Sequence, residues 1–236
     1  MAYFSNGSEG GTMKTKKMLG IGMTQRNVPK VMDGRKTQTR RIESCLRELS
    51  GVPSVRSKSE VGDRGELFFS IQEGLTFHRV TPRHQVGDRI YVKEALQKWK
   101  GSNKSSCAIY KVDNISVPPV QDGGLGRPWQ SDNGKPWKPN VIVARYMPRS
   151  AARTFIEITD VRCERIQDIS VEDIRAEGVR LNSLGVAYLA TMPRDKTISA
   201  YRNYFKKLWN DTNGKGAWER NDWVFAYTFK LIEVEQ

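Results

Sequence analysis

Histidine is scarce in this chain: His78 and His84 are the two among 236 residues. Neither stands in an HExxH or His/carboxylate spacing, which excludes the usual catalytic-metal patterns. Cysteine is nearly as rare. Cys45, Cys107 and Cys163 are odd in number, far apart and without a CxxC pair, so neither a disulfide framework nor a zinc knuckle is indicated and a reducing cytoplasm fits. No run approaches the roughly 18 apolar residues of a membrane-spanning helix, and no apolar signal core opens the chain. A phosphate-binding loop is missing too. "GKGAWE" from Gly214 lacks the Walker spacing and its Lys-Ser/Thr ending, and "GGLGRP" from Gly123 follows no strand and opens no helix. No internal repeat is visible. The expectation is a cytoplasmic protein that needs no metal or cofactor and meets no membrane.

Positive charge is what the chain has in excess. Lysine and arginine total 39 against 26 acidic residues, a net +13, with an isoelectric point near 9.7. Apolar residues still make up 38%, enough for a folded core in a chain of this length. Such a balance attracts polyanions and says nothing about fold. The surplus is concentrated: Met13 to Lys58 holds twelve Lys/Arg against three acids, a local excess of +9. A polyanion, nucleic acid or anionic lipid alike, is the partner class this suggests.

Residues 1–17 are Gly/Ser-rich and then basic, and read as a disordered extension. Residues 18–236 read as a single domain with a long loop insertion near 114–140, rich in Gly, Pro and Asp. The pattern "TQRNVPKVMDG" predicts a short helix ending at Gly34. Strands are predicted over 65–72, 88–96, 106–113, 141–147, 153–166 and 222–234 from apolar and polar alternation. "SVEDIRAEG" predicts a helix capped by Ser170 and stopped by Gly178, and 197–214 a second helix with Tyr201, Phe205 and Trp209 in its apolar stripe, read as core. Many short strands with few helices predict an α+β fold whose mixed sheet curls into a β-barrel.

The densest charge lies in "DGRKTQTRRIE", Asp33 to Glu43. Like charges at Arg35, Arg40 and Arg41 push the Lys36 ammonium toward its neutral form. Thr39 lies within reach of such a lysine on a turn, giving a hydroxyl-plus-amine pair of the kind that nucleophilic catalysis uses. The fork of donors on Arg41 suits a phosphate or an oxyanion. Spacing alone leaves three readings open: a solvated charge cluster, a grip on a phosphate backbone, and a seat of chemistry. Arg145, Arg149 and Arg153 form a second basic stretch, and Glu94 is a further candidate carboxylate.

Four motifs in order, "GRKTQTRR", "GDRIYVKE", "MPRSAARTFIEITDVRCERIQDISVEDIRAEGV" and "YFKKLWNDTNGKGAWERNDWVFAYTFKLI", resemble the ASCH-domain proteins of the PUA-like superfamily, over about residues 18 to 232. In particular the chain resembles the longer ASCH-like proteins common in bacteriophages and prophages, which implies a host bacterial cytoplasm. The resemblance implies a PUA-like mixed barrel with short helices at its mouth and a C-terminal helix followed by a strand. It also implies RNA, a nucleoside or another nucleic acid as the partner, and RNA-directed chemistry: a small bacterial ASCH enzyme is an N4-acetylcytidine amidohydrolase. Its Gly-Arg-Lys-Thr-x-Thr-x-Arg motif matches Gly34, Arg35, Lys36, Thr37, Thr39 and Arg41 in register.

By that resemblance Lys36 is the base, Thr39 the nucleophile or its positioner, and Glu177 the carboxylate, with Glu172 its rival. Arg41 and Arg35 of the motif are candidate substrate-binding residues. Arg149 joins them from the second basic stretch, where solubility of the surface is an equal reading. Trp137, with Trp99 and Trp129, is a candidate for stacking a base, with core or loop packing the preferred reading of each. The longer relatives carry aromatics near Leu96 and at Ser150, where this chain does not. A nucleic-acid-binding module without catalysis and a phage-encoded regulator acting through protein contacts are the other readings.

Overall fold

The strand "FIEITDVRCER" alternates apolar and polar residues, but its apolar positions change parity midway, from Ile156 and Ile158 to Val161 and Cys163. A simple strand would send the two halves to opposite faces. The computed structural model, which describes residues 18–49, 57–63, 65–73, 75–98, 108–115, 117, 141–180 and 191–233, resolves the conflict with a bulge between Ile158 and Asp160. The extra residue resets the phase, so Ile156, Ile158, Val161 and Cys163 all enter one core.

This strand, β10 (Phe155–Arg165), is the centre of a five-stranded sheet. In spatial order the sheet runs β1 (Gly20–Gly22), β6 (Arg89–Lys93), β10, β11 (Trp223–Ile232), β2 (Gln38–Arg41). β1 pairs β6 in parallel and every other pairing is antiparallel. A meander of β3 (Ser57–Val61), β4 (Leu67–Glu73) and β5 (Thr76–Val80) forms a second sheet. β7 (Leu96–Lys98) between β8 (Ala108–Tyr110) and β9 (Val141–Ile142) forms a third. The chain is therefore α+β and mostly strand. Among the described residues its sheets are not closed by backbone pairing: β1 and β2 end the large sheet on opposite edges.

β11 reads as an unbroken apolar run because both its faces are covered. Trp223, Phe225, Tyr227 and Phe229 pack into the sheet core, while Val224 packs with the helices. Those helices are α3 (Val171–Ala176) and α4 (Arg194–Asn213), whose Tyr201, Phe205 and Trp209 face inward at helical spacing. α4 followed by β11 gives the expected C-terminal helix and strand. The short α1 (Val28–Met32) and α2 (Ser44–Arg47) bury Val28, Val31 and Leu46 against the sheet.

Two sequence expectations need correction. The strand predicted over 141–147 stops at Ile142, and Ala144–Tyr146 forms a 3-10 turn. The segment 88–96 is two strands, because the chain turns at Glu94, whose buried carboxylate is held by Arg153 Nε and Nη2, each at 2.8 Å. Residues 1–17 and 118–140, and with them Trp129 and Trp137, lie outside the described residues, as does Trp99.

A candidate active-site cleft on the edge of the large sheet

The basic motif is held from both sides. Lys36 N donates to Lys30 O on α1 at 2.7 Å, and Thr37 N to Ala176 O on α3 at 2.8 Å. The chain then enters β2 against β11, with Gln38 opposite Thr228, Thr39 opposite Tyr227, Arg40 opposite Ala226 and Arg41 opposite Phe225. Side chains alternate along a strand, so Thr39 and Arg41 share the face of Tyr227 and Phe225, while Gln38 and Arg40 face the helices. β2 is an edge strand, and a cleft of about 840 Å³ runs along it, which residues from both faces reach.

Glu177 comes to this cleft through the local chemistry of α3. Ser170 caps the helix by accepting from Asp173 N at 3.0 Å. The helix ends at Gly178, where φ is +81° and a Cβ would come within 2.9 Å of Lys30 Cδ and 3.1 Å of Lys36 Cβ. Glycine satisfies both demands, the left-handed backbone and the close approach. Lys36 Nζ donates to the Glu177 carboxylate and, at 3.1 Å, to the Glu177 main-chain carbonyl. One ammonium thus pairs with the carboxylate and satisfies a carbonyl at the helix end.

Arg40 anchors the same region from the helix side. Its side chain is 0% exposed and it lies 2.7 Å from Glu164, 2.9 Å from Asp173 and 3.3 Å from Glu177. Arg162 joins at 3.0 Å from Asp173 and 3.3 Å from Glu164. Lys36, Arg40 and the partly exposed Arg162 thus face Glu164, Asp173 and Glu177, so each carboxylate has a cationic partner. Burial raises the Asp173 carboxyl, but the Arg162 hydrogen bond and the Arg40 and Arg162 charges outweigh it and leave it below the ordinary value.

Lys36 is 2% exposed. Burial holds its ammonium below the ordinary lysine value, more strongly than the Glu177 carboxylate raises it, and the charges of Arg41 and Lys30 add smaller pushes downward. The direction expected from the sequence holds, with burial as its main cause and Arg41, of the three arginines expected to act, as a minor one. Arg35 turns away to Asp33, with its Nε 2.6 Å from Oδ2, and does not line the cleft. Arg40 is spent on its carboxylates.

Lys36, Thr39, Arg41 and Glu177 all line the one cleft. Of the other described candidates for catalysis or substrate binding, Arg35, Arg149 and Glu172 do not. Arg149 is exposed on a 3-10 turn over Arg149–Ala151, Glu172 is exposed on α3, and Trp137 lies outside the described residues. Leu96 is buried in the core of the third sheet and Ser150 is exposed, so neither position where the resemblance calls for an aromatic lies on the cleft wall. Among the described residues no cluster of three or more His, Cys, Asp or Glu is arranged to hold a metal, and no helix is long and apolar enough to cross a membrane.

Phe205, Leu208 and Trp209 of α4 also line the cleft beside Asp211, a place the sequence did not announce; Phe205 and Trp209 are core residues as well, as their stripe predicts. Arg26, Lys30, Lys36, Arg40 and Arg41 outnumber Glu177 and Asp211 in the lining, so the cleft is basic and partly aromatic. Arg41 and Ile42 also border a second cleft of about 550 Å³, reaching Glu43, Cys45 and His84. No family model, curated protein or solved structure matches this chain.

Proposed function

We propose that this cleft hydrolyses the exocyclic amide of an N4-acylated cytidine or a related modified base, within a PUA-like ASCH architecture, acting on RNA, another nucleic acid or a nucleoside. The observation that carries the reading is that Lys36 just before β2, Thr39 on β2 and Glu177 at the end of α3 line one cleft, with the lysine paired to the carboxylate. A flat heterocycle suits a space lined by both aromatic and basic residues. The PUA-like part of the reading is supported by the strand-rich α+β fold and by Arg41, whose Nη2 donates to Gly22 O and so links the two edges of the large sheet.

Lys36 is suited to the base role because burial favours its uncharged form. Its amine takes the proton from the Thr39 hydroxyl, or from a water positioned by it, as the oxygen attacks the amide carbonyl carbon. Arg41 receives the oxyanion through its guanidinium donors. The carbon–nitrogen bond then breaks, and the proton passes by way of Glu177 to the leaving exocyclic nitrogen. When Thr39 is the nucleophile, water attacks the acyl-threonine and loses its proton to the same base, releasing the carboxylic acid.

The test is release of cytidine from N4-acetylcytidine by the purified protein. Turnover is expected in the wild type, with a loss of about 100-fold or more in Lys36→Ala and Thr39→Val, the scale of a positioned base or nucleophile. No turnover in the wild type, or undiminished turnover in Lys36→Ala, overturns the reading. A binding module without catalysis is favoured by the five cations against two acids on the cleft wall. Salt-dependent nucleic-acid binding without cytidine release is its signature.

A further inference from the structure

The cations that line the cleft are of two kinds. Lys36, Arg40 and Arg41 are each bonded within the protein, to Glu177, to a set of carboxylates and to the Gly22 carbonyl. The side chains of Arg26 and Lys30 have no ion-pair or hydrogen-bond partner among the described residues. Lys30 is half-buried. Burial, then the charges of Arg35 and Arg26, hold its ammonium below the ordinary lysine value against the pull of Asp33 and Glu177. An anion placed at these two cations relieves that repulsion.

A second pair stands beyond the other end of β2. A cleft of about 390 Å³ shares Ile42 and Asn213 with the first, so the two adjoin, and Arg47, Arg220 and Asp222 complete its lining. Asp222 is buried and accepts from Arg220 Nε at 3.1 Å. That bond fixes one edge of an exposed guanidinium and leaves both of its Nη groups without a partner among the described residues. Arg47 is exposed and has no such partner either. Lys30 is tied to the start of β2 by the bond from Lys36 N to Lys30 O, whereas Ile42 directly follows the strand. The two pairs therefore lie toward opposite ends of β2, which is roughly 13 Å long at the rise of an extended chain, and Thr39 lies between those ends. Among the described residues lining the two clefts, Asp211 is the one carboxylate outside an ion pair.

A free nucleoside carries no phosphate, whereas a base within a chain has one on each side. We infer that the cleft takes its base from within a single-stranded polynucleotide, with one flanking phosphate at Arg26 and Lys30 and the other at Arg47 and Arg220. The inference rests on the proposal that the cleft takes a modified cytosine, and it narrows the substrate from a nucleoside to a chain. A base that reaches Thr39 has left any duplex stack, so the chain is single-stranded there.

The experiment follows the anisotropy of a short labelled single-stranded RNA with a central cytidine, between about 50 and 200 mM salt. The proteins are the wild type, Arg26→Gln/Lys30→Gln and Arg47→Gln/Arg220→Gln. Alongside it, kcat/KM is measured for acyl release from the same strand bearing N4-acetylcytidine and from the free nucleoside. Binding by the wild type should weaken as salt rises. Each double variant should lose about tenfold in affinity at low salt and about one from the slope of log affinity against log salt, the scale of a lost phosphate contact. Arg47→Gln alone, which breaks no described contact within the fold, should lose part of both. Release by the wild type should favour the strand over the nucleoside by about tenfold, the scale of a charge-assisted hydrogen bond, and both double variants should narrow that preference.

A double variant that keeps the wild-type affinity and slope overturns the inference, because one phosphate then lacks its site. A wild type that releases the acyl group as readily from the nucleoside as from the strand, without salt-dependent binding of the strand, overturns it too and leaves the hydrolase standing. Salt-dependent binding that both double variants lose, with no acyl release from either substrate, sustains the two phosphate sites and overturns the hydrolase.

Discussion

Arg41 on β2 donates through Nη2 to the main-chain carbonyl of Gly22 on β1, although the two strands form opposite edges of the five-stranded sheet. Met23 Sδ lies 3.5 Å from the same nitrogen. The sheet therefore curls until its edges face one another, and one guanidinium, not a backbone ladder, spans the opening. The same side chain borders both clefts, so a residue implied for substrate contact also holds the sheet's shape.

Removing that bridge is expected to loosen β1 before the rest of the fold. Arg41→Leu leaves the Gly22 carbonyl without its donor and should cost about 1–3 kcal/mol. Amide exchange at Ile21 and Gly22 should accelerate more than at β10. Arg41→Lys keeps a single donor and should fall between the two in denaturant midpoint. Exchange at β1 that stays at the wild-type rate in Arg41→Leu removes the bridging role.

The Lys36–Glu177 pair should behave as one unit. Lys36→Met strands a carboxylate whose remaining described partner is Arg40 Nη1 at 3.3 Å, and breaking a buried pair in this way costs about 3–5 kcal/mol. In Lys36→Met/Glu177→Gln the uncompensated charge is gone, so the double variant should lie well below the sum of the singles, with a coupling of about 1–3 kcal/mol. Urea midpoints of the four proteins measure it. Additive losses would mean that the contact does not couple the two residues.

How much of this was legible in the sequence depended on the kind of signal. Lys36, Thr39 and Arg41 stand close together in a dense basic motif that is visible without tertiary context, whereas Glu177 was singled out through the family resemblance, since the end of a capped helix alone does not separate it from Glu172. Arg40 was indistinguishable from Arg41 because it takes a strand to send adjacent residues to opposite faces, and "QTRR" has no apolar alternation to announce one. "GIG", the strand β1, is too short and too glycine-rich to signal itself. Trp209 sits in a stripe that matches an ordinary core helix, and its place beside the cleft shows only once α4 is packed against the sheet. The barrel expectation came from counting strands, which cannot show whether the sheet's edges pair.

Lys36 also sets a pH dependence whose sign can be worked out. Its folded pKa lies below the ordinary lysine value, chiefly through burial, so between the folded and unfolded pKa the unfolded chain holds a proton that the native state has released. Stability then rises with pH across that window, up to about 10.5, because the unfolded state binds more protons. Below the folded pKa the native state bears the full cost of the buried ammonium, offset by Glu177. Urea midpoints of the wild type and the double variant, taken from pH 7 to 10, isolate this contribution from other alkaline titrations. The wild type should gain on the variant as pH rises. A constant difference across the series would show that Lys36 keeps an ordinary pKa, and with it would go the case for this lysine as a base at neutral pH.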